Sequence, residues 1–376
     1  MVSVLFLIPT FDRGGAENVL LDLVNKMDKN RFSITVQTIF DQGAQKEKLR
    51  KGIEYKSVFY HQFRGNSCLF SVIPSRLLYR LLVRKRYDVI IAYLEGPATH
   101  ILLGCPFNDS KKVAWVHVEM NTKKELAVGF SSFAGAVKGY EKLDRIVFVA
   151  KTVQDSFRKV TGRIYPTERV LYNTVDSESV LEKALENTSS FSFSKSEFNI
   201  ISVGRIIDAK GYDRLARIQK RLKDAGYRSH IYIIGAGRSK PEIESYVAVN
   251  SIAESFTFLG FQENPYQYVS KADLFVCSSR REGFSTVVTE ALILGTPVVS
   301  TKCSGAYELL GKNNEFGIVT ENSEDALYEG IKDMIDHPDL LKHYREQSKI
   351  RGKSFSSEIT VKSVEDMIIK LVKDDD

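Results

Sequence analysis

Short apolar runs alternate with helical patterns along almost the whole chain. "VSVLFLIP" reads as a strand, a Gly-Gly loop follows, and "AENVLLDLVNKM" then sets Val19, Leu20, Leu23, Val24 and Met27 on one helical face. "FSITVQTI", "YDVIIAY", "KVAWVHV" and "DRIVFVA" read as further strands, with helical stretches between most of them. Alternation of this kind predicts a parallel, doubly wound sheet. The pattern breaks over residues 177–197, which are polar and serine-rich, and this stretch is expected to be a linker. It restarts with "FNIISV", "SHIYIIGAG", "SFTFLGF", "ADLFVCSS", "TPVVST" and "FGIVT". The sequence therefore predicts two α/β domains, residues 1–176 and 198–355, followed by a helical end at 356–376. That end is expected to cap the second domain or fold back on the first.

Ligands of such sheets sit outside the carboxyl ends of the strands, so the expected site is a cleft that the two domains face. Composition changes this picture little. A length of 376 residues is long for one core and suits two domains. No apolar run approaches the roughly 20 residues needed to cross a bilayer. The opening "MVSVLFLIPT" lacks a basic start and a small-residue cleavage site, and reads as a buried strand. Cys68, Cys105, Cys277 and Cys303 show no CxxC pairing, which fits reduced thiols and speaks against a zinc site. A net charge of +6 suits phosphate-bearing ligands or anionic lipid and is too weak to argue for nucleic acid.

Special residues do follow strand ends in both halves. Gly14 and Gly15 open the first helix, where bare backbone N–H groups suit an anion, though a tight turn needs the same glycines. Arg205 directly follows a strand in "SVGRIIDAKG", and Lys210 lies five residues on, before a helix. Together they suit a diphosphate; alone they also read as solvated loop cations. Gly235 and Gly237 follow another strand and admit a nucleoside or simply make a turn. His117 ends a strand of the first half, placed either to meet a sugar hydroxyl or to lie buried and satisfied. In "SSRREGFSTVVTEALILG", Glu282 lies in a loop and Glu290 in the helix after it. Ser285, Thr286 and Val287 begin that helix and offer its N-terminal amides to a phosphate or sugar oxygen.

This ordered set resembles the family 4 retaining glycosyltransferases of GT-B architecture, the bacterial capsule and exopolysaccharide type. "GGAE", "GRIIDAKG", "IIGAG", "FLGF" and the Glu282–Glu290 spacing carry the likeness, over nearly the whole chain. The resemblance implies two Rossmann-like domains, an acceptor side at 1–176 and a nucleotide-sugar side at 198–355. It implies that Arg205 and Lys210 grip the donor diphosphate and that Gly15 contacts the same phosphates. Glu290 would bind the ribose and Glu282 the donor sugar, with the amides of Phe284 to Val287 holding sugar hydroxyls and phosphate. Thr257 falls where such enzymes bind the base through backbone atoms, Gly237 lines the donor, and His117 stands near the sugar. UDP is the implied nucleotide, and no cofactor or metal is implied. The only DxD-like cluster is the terminal "KDDD". Thr174 stands where the family often has Gly or Pro, and Arg281 has no role to take over.

The implied reaction is sugar transfer to an acceptor hydroxyl, such as that of a lipid-linked saccharide. Double displacement needs two carboxyl groups about 5–5.5 Å apart, and no second carboxylate stands beside Glu282 in the sequence. A front-face route is therefore expected. A nucleotide-sugar epimerase and a non-catalytic nucleotide-sugar binder remain the alternatives. Residues 73–88 read as a helix with Leu77, Leu78, Leu81 and Leu82 in a stripe and Arg76, Arg80, Arg84, Lys85 and Arg86 as its charge. A domain helix or a membrane-surface helix both fit. The expectation is a cytoplasmic protein held peripherally at the membrane face and released by salt.

Overall fold

A computed structural model describes residues 1–12, 14–63, 65–186 and 191–373, with the backbone alone at Ser67. The terminal cluster at 374–376 and residues 187–190 of the expected linker lie outside the described residues. The chain divides into two units, Met1–Thr174 with Ser357–Asp376, and Val175–Ser356.

The first unit holds strands β1 (Val2–Ile8), β2 (Phe32–Phe40), β3 (Glu54–Phe59), β4 (Val89–Ala92), β5 (Lys111–Val116), β6 (Arg145–Phe148) and β7 (Glu168–Val170). Its helices are α1 (Gly15–Lys26), α2 (Asn66–Val72), α3 (Ser75–Leu82), α4 (Pro97–Leu102), α5 (Lys123–Leu126), α6 (Phe133–Tyr140) and α7 (Lys151–Thr161). The second unit holds α8 (Ser177–Leu185), β8 (Phe198–Val203), α9 (Tyr212–Asp224), β9 (Ser229–Ile234), α10 (Lys240–Val249), β10 (Phe256–Gly260) and α11 (Tyr266–Val269). It continues with β11 (Leu274–Cys277), α12 (Thr286–Ile293), β12 (Val298–Thr301), α13 (Ala306–Leu310), β13 (Ile318–Thr320), α14 (Glu324–Asp336) and α15 (Pro338–Lys353). Helix α16 (Ser357–Lys373) returns to the first unit.

Both sheets are parallel throughout, in the orders β3-β2-β1-β4-β5-β6-β7 and β10-β9-β8-β11-β12-β13. Parallel strands are covered on both faces and so read as unbroken apolar runs. Accordingly Val4 to Ile8 and the whole of Ser229–Ile234 are buried. Helix α1 lays Val19, Leu20, Leu21, Leu23 and Val24 on the first sheet. The order turns back between β1 and β4 and again between β8 and β11. In a doubly wound sheet such a turning point opens a crevice at the carboxyl ends.

The stretch expected to be a linker carries α8. Asp176 caps it by accepting the Ser179 N–H at 3.2 Å, Val180 is buried, and Asn264 donates to the Lys183 carbonyl at 2.8 Å. Polar residues hid it because only one helix position is buried. At the other end, Glu365 of α16 accepts the Asp28 N–H at 2.7 Å and pairs with Arg31 at 3.0 Å. That helix buries Val361, Val364, Ile368 and Leu371.

Candidate functional site

In the second unit, the loops after β8 and β11 flank the turning point of the sheet. The first loop carries exposed Arg205, then a single 3-10 turn at Asp208–Lys210. Gly211 ends the turn at φ +66, and a Cβ there would stand 2.2 Å from the Ser278 carbonyl oxygen, so only glycine lets the two loops meet. Ser278 Oγ donates to the Lys210 carbonyl at 2.8 Å. Lys210 Nζ then reaches Glu282 Oε1 at 2.6 Å, and Ser279 Oγ donates to that same oxygen at 2.7 Å. Burial works to lower the Lys210 pKa, but the adjacent Glu282 outweighs it and the net direction is upward, so Lys210 stays charged. The guanidinium of Arg205 has no hydrogen bond or ion pair among the described residues.

Sequence reasoning missed the brace behind this pair. Arg280 grips Asp213 with two bonds of 2.8 and 2.7 Å and also donates to the Asp208 carbonyl at 2.7 Å. Burial raises the Asp213 pKa, but Arg280 and Arg217 outweigh it and hold it down to about 2. The fork of Arg280 thus ties the Lys210 turn to the Glu282 loop. Those partners lie 67 residues apart, and no local pattern marks them.

Helix α12 begins immediately after Glu282's loop. Its N-cap, Ser285, makes no capping bond, and Ser285 Oγ is buried without a partner. The first-turn amides therefore keep their donor capacity, beside the positive end of the helix dipole. Val287 lines a recess with Lys210, Ser278, Ser279 and Glu282, about 190 Å³ including its mouth. Thr286 and Glu290 are half-buried, one turn apart on one helix face. Phe284 is buried with its ring 5.8 Å from Phe355, so its side chain serves packing.

Two residues do not join this group. Thr257 sits second on β10, where its hydroxyl bonds His230 Nε2 at 2.8 Å, whereas the carboxyl end of that strand is Gly260. Exposed Phe261 follows that end instead. Gly237 has a packing reason: a Cβ would stand 2.2 Å from the Ile206 carbonyl oxygen. Among the described residues, no three His, Cys, Asp or Glu side chains cluster as metal ligands.

Gly15 and His117 belong to the first unit. A Cβ on Gly15 would meet nothing within 4 Å, so packing does not demand glycine there. His117 follows β5 and is 7% exposed. Burial drives its pKa down to about 3 against a bond to the Tyr93 backbone, so the ring is neutral, and Nε2 has no partner. Glu95, which the sequence did not single out, follows β4 and accepts the His117 N–H at 3.0 Å. Burial raises its pKa above the usual carboxyl range. Tyr93 Oη and Trp115 Nε1 are buried nearby without partners, with the Tyr93 ring 4.8 Å from His117 and 5.0 Å from Trp115.

Two parallel α/β sheets with charged loops at a turning point make the GT-B fold. Anabaena HepE in complex with UDP superposes with a TM-score of 0.77, at 19% identity, over 98% of this chain and 100% of that one. Residues 13–179 match the family description "Glycosyltransferase Family 4", and residues 186–351 match "Glycosyl transferases group 1". The chain belongs to the family 4 glycosyltransferases. Over 188 residues it is 37% identical to the N-acetylgalactosamine-N,N'-diacetylbacillosaminyl-diphospho-undecaprenol 4-alpha-N-acetylgalactosaminyltransferase of Campylobacter jejuni. That match covers 50% of this chain and spans about half of the relative, 49% of its length. A second Campylobacter jejuni protein, the GalNAc-alpha-(1->4)-GalNAc-alpha-(1->3)-diNAcBac-PP-undecaprenol alpha-1,4-N-acetyl-D-galactosaminyltransferase, is 24% identical over 94% of this chain and 95% of its own.

Proposed function

We propose that this chain moves a sugar from a UDP-sugar to a hydroxyl of a lipid-linked saccharide in surface polysaccharide synthesis, with retention at the anomeric carbon. The observation that carries the reading is the Lys210–Glu282 pair at the sheet's turning point, with Arg205 on the same loop as Lys210. The relatives' names support the acceptor class, since both act on diphospho-undecaprenol saccharides. HepE, which binds UDP, supports the nucleotide.

Each group then has a task. Arg205 and Lys210 hold the diphosphate and supply the charge stabilisation that another enzyme would take from a metal. The amides of Phe284, Ser285, Thr286 and Val287 receive sugar hydroxyls and phosphate, and Gly15 lends a backbone donor. Glu290 accepts from the ribose hydroxyls. Glu282, its Oε1 fixed by Lys210 and Ser279, turns Oε2 to a donor-sugar hydroxyl. In the reaction the anomeric C–O bond to the β-phosphate breaks with its electrons on the phosphate. The acceptor oxygen bonds the same face, and its proton passes to a β-phosphate oxygen, leaving UDP. No cofactor takes part. The acceptor's lipid places the chain at the cytoplasmic face of the membrane.

A donor screen tests this. The chain is incubated with each nucleotide sugar and a lipid-linked acceptor mixture, and UDP release, acceptor mass and product anomeric configuration are measured. The expected result is acceptor-dependent UDP release with retained configuration. Conversion of a UDP-sugar without acceptor would make the protein an epimerase, and binding without turnover would make it a carrier.

A further inference from the structure

Cys277 and Cys303 are distant in sequence, but the second sheet brings them together at its carboxyl edge. Cys277 is the last residue of β11 and pairs with Ser300 of β12. Beyond Thr301 the chain turns back, with the Cys303 N–H donating to the Thr301 carbonyl at 2.8 Å. Thr301 Oγ1 fastens this turn to the neighbouring strand, donating to the Ser279 carbonyl at 2.6 Å and lying 3.3 Å from the Cys277 carbonyl oxygen. The two thiols share a hydrogen bond, and both are free. Cys277 Sγ also lies 3.7 Å from Ser279 Oγ and lines the recess that holds Lys210 and Glu282.

These surroundings make the two sulfurs unlike. The bond from Cys303, with Lys210 nearby, pulls the Cys277 pKa below the ordinary thiol value against burial and Glu282. The same bond and burial push Cys303 well above that value. Cys277 is therefore the sulfur that ionises, and Cys303 keeps its proton. A thiolate in the wall of a recess, with a second thiol in contact behind it, is the arrangement of an attacking and a resolving sulfur.

We propose that Cys277 and Cys303 are a peroxide-sensitive pair that closes to a disulfide and disables the donor recess. The Cys277 thiolate attacks a peroxide oxygen: the S–O bond forms, the O–O bond breaks, and hydroxide leaves beside the Lys210 ammonium, taking up the proton that Cys277 released. The Cys303 sulfur then attacks the sulfenic sulfur: the S–S bond forms, the S–O bond breaks, and the departing hydroxide takes the Cys303 proton. Two thiols and one peroxide become one disulfide and two waters. Closure brings the sulfurs to about 2.05 Å, and the loops beyond both strands must follow. The loop after β12 already abuts the Glu282 loop, since a Cβ on Gly305 would stand 3.2 Å from the Gly283 carbonyl oxygen and 3.1 Å from the Phe284 ring. Drawing it in displaces Ser279 and Glu282 and disturbs the start of α12. The disulfide needs no reading of activity; its effect on UDP rests on the donor assignment proposed above.

To test this, hydrogen peroxide is added to the reduced full chain, remaining thiols are alkylated, and the digested peptides are mapped by mass. The expected product is an intramolecular Cys277–Cys303 disulfide, lighter by two hydrogens, that dithiothreitol reverses. Cys303→Ser should stop at a Cys277 sulfenic acid that dimedone traps. The oxidised parent should bind UDP about tenfold more weakly in calorimetric titration, as for loss of one hydrogen bond to a charged group, and should recover on reduction. Reduced Cys303→Ser should keep the parental melting temperature and UDP affinity. A disulfide through exposed Cys68 in place of Cys303, or a Cys277 that survives peroxide as a thiol, would overturn the proposal. So would a closed disulfide that leaves UDP affinity unchanged. A reduced chain that binds no UDP would count against the donor assignment instead, while a mapped Cys277–Cys303 bond would still support the pair.

Discussion

The two sheets turn back at equivalent places, yet their carboxyl edges carry opposite chemistry. In the second unit the groups are charged and fixed: Lys210 on Glu282, Arg280 on Asp213, with Arg205 and the α12 amides open to a ligand. In the first unit they carry less charge: His117, buried and neutral with its pKa pushed down, half-buried Glu95 with its pKa pushed up, and the buried, unpartnered tips of Tyr93 and Trp115. A diphosphate is a dense charge, and preorganised charge is what holds it without reorganisation. A sugar hydroxyl is neutral, and neutral buried acceptors and donors read it at less desolvation cost. On the proposed reading, one fold used twice yields two kinds of subsite, according to whether its loops keep or suppress charge.

The comparison breaks most severely if the charged edge is dispensable. Arg205→Ala or Lys210→Ala should each reduce kcat about 10²–10³-fold at saturating donor, as for loss of one preorganised stabiliser. Their effects on stability should differ. Arg205 is exposed, so its loss should leave the melting temperature alone, whereas Lys210→Ala strips Glu282 of its counter-charge. Near-parental turnover in either variant removes the diphosphate assignment.

The next test addresses the neutral edge. Unfolded histidine takes up a proton near pH 6.5, but folded His117 does so only at about 3. Over that window the unfolded chain binds more protons, so stability must fall as pH falls. Between pH 7 and pH 5 the contribution is about 2 kcal/mol. His117→Asn should flatten this part of the pH dependence of melting relative to the parent. An unchanged slope means that His117 is not buried neutral, and the contrast between the edges goes with it.

Much of this arrangement was legible because parallel strands announce themselves and ligand residues follow their ends. β1, β2, β4, β5 and β6 of the first sheet were read from apolar runs, as was every strand of the second. β3 and β7 were not: each is an edge, and β3 is largely uncovered, so burial leaves no continuous apolar run. Arg205, Lys210, Glu282 and α12 could be singled out as candidates because each lies in a loop or helix that follows a strand. Glu95 escaped because its meaning depends on the β5 loop that the fold brings to it, and Arg280 because Asp213 is distant in sequence. Thr257 was misplaced within its own strand: "FTFLG" shows a strand but not which residue reaches its carboxyl end.

The smallest expected effect separates two carboxylates that share the charged edge. Glu282 is already engaged, with Oε1 held by Lys210 and Ser279, and its reach is to the recess beside Val287. Glu290 stands on the helix face of Thr286, a turn beyond the N-terminus. If the first meets the sugar and the second the ribose, only Glu290 matters to free UDP, because ribose is common to donor and product. Glu290→Ala should therefore weaken UDP about tenfold, the loss of a hydrogen bond to a charged group. Glu282→Gln should leave UDP affinity within about twofold and lower kcat instead. Calorimetric titration with UDP and turnover with the identified donor separate the two. Equal losses of UDP affinity would mean that both carboxylates serve the nucleotide, and the sugar would then need another partner at this edge.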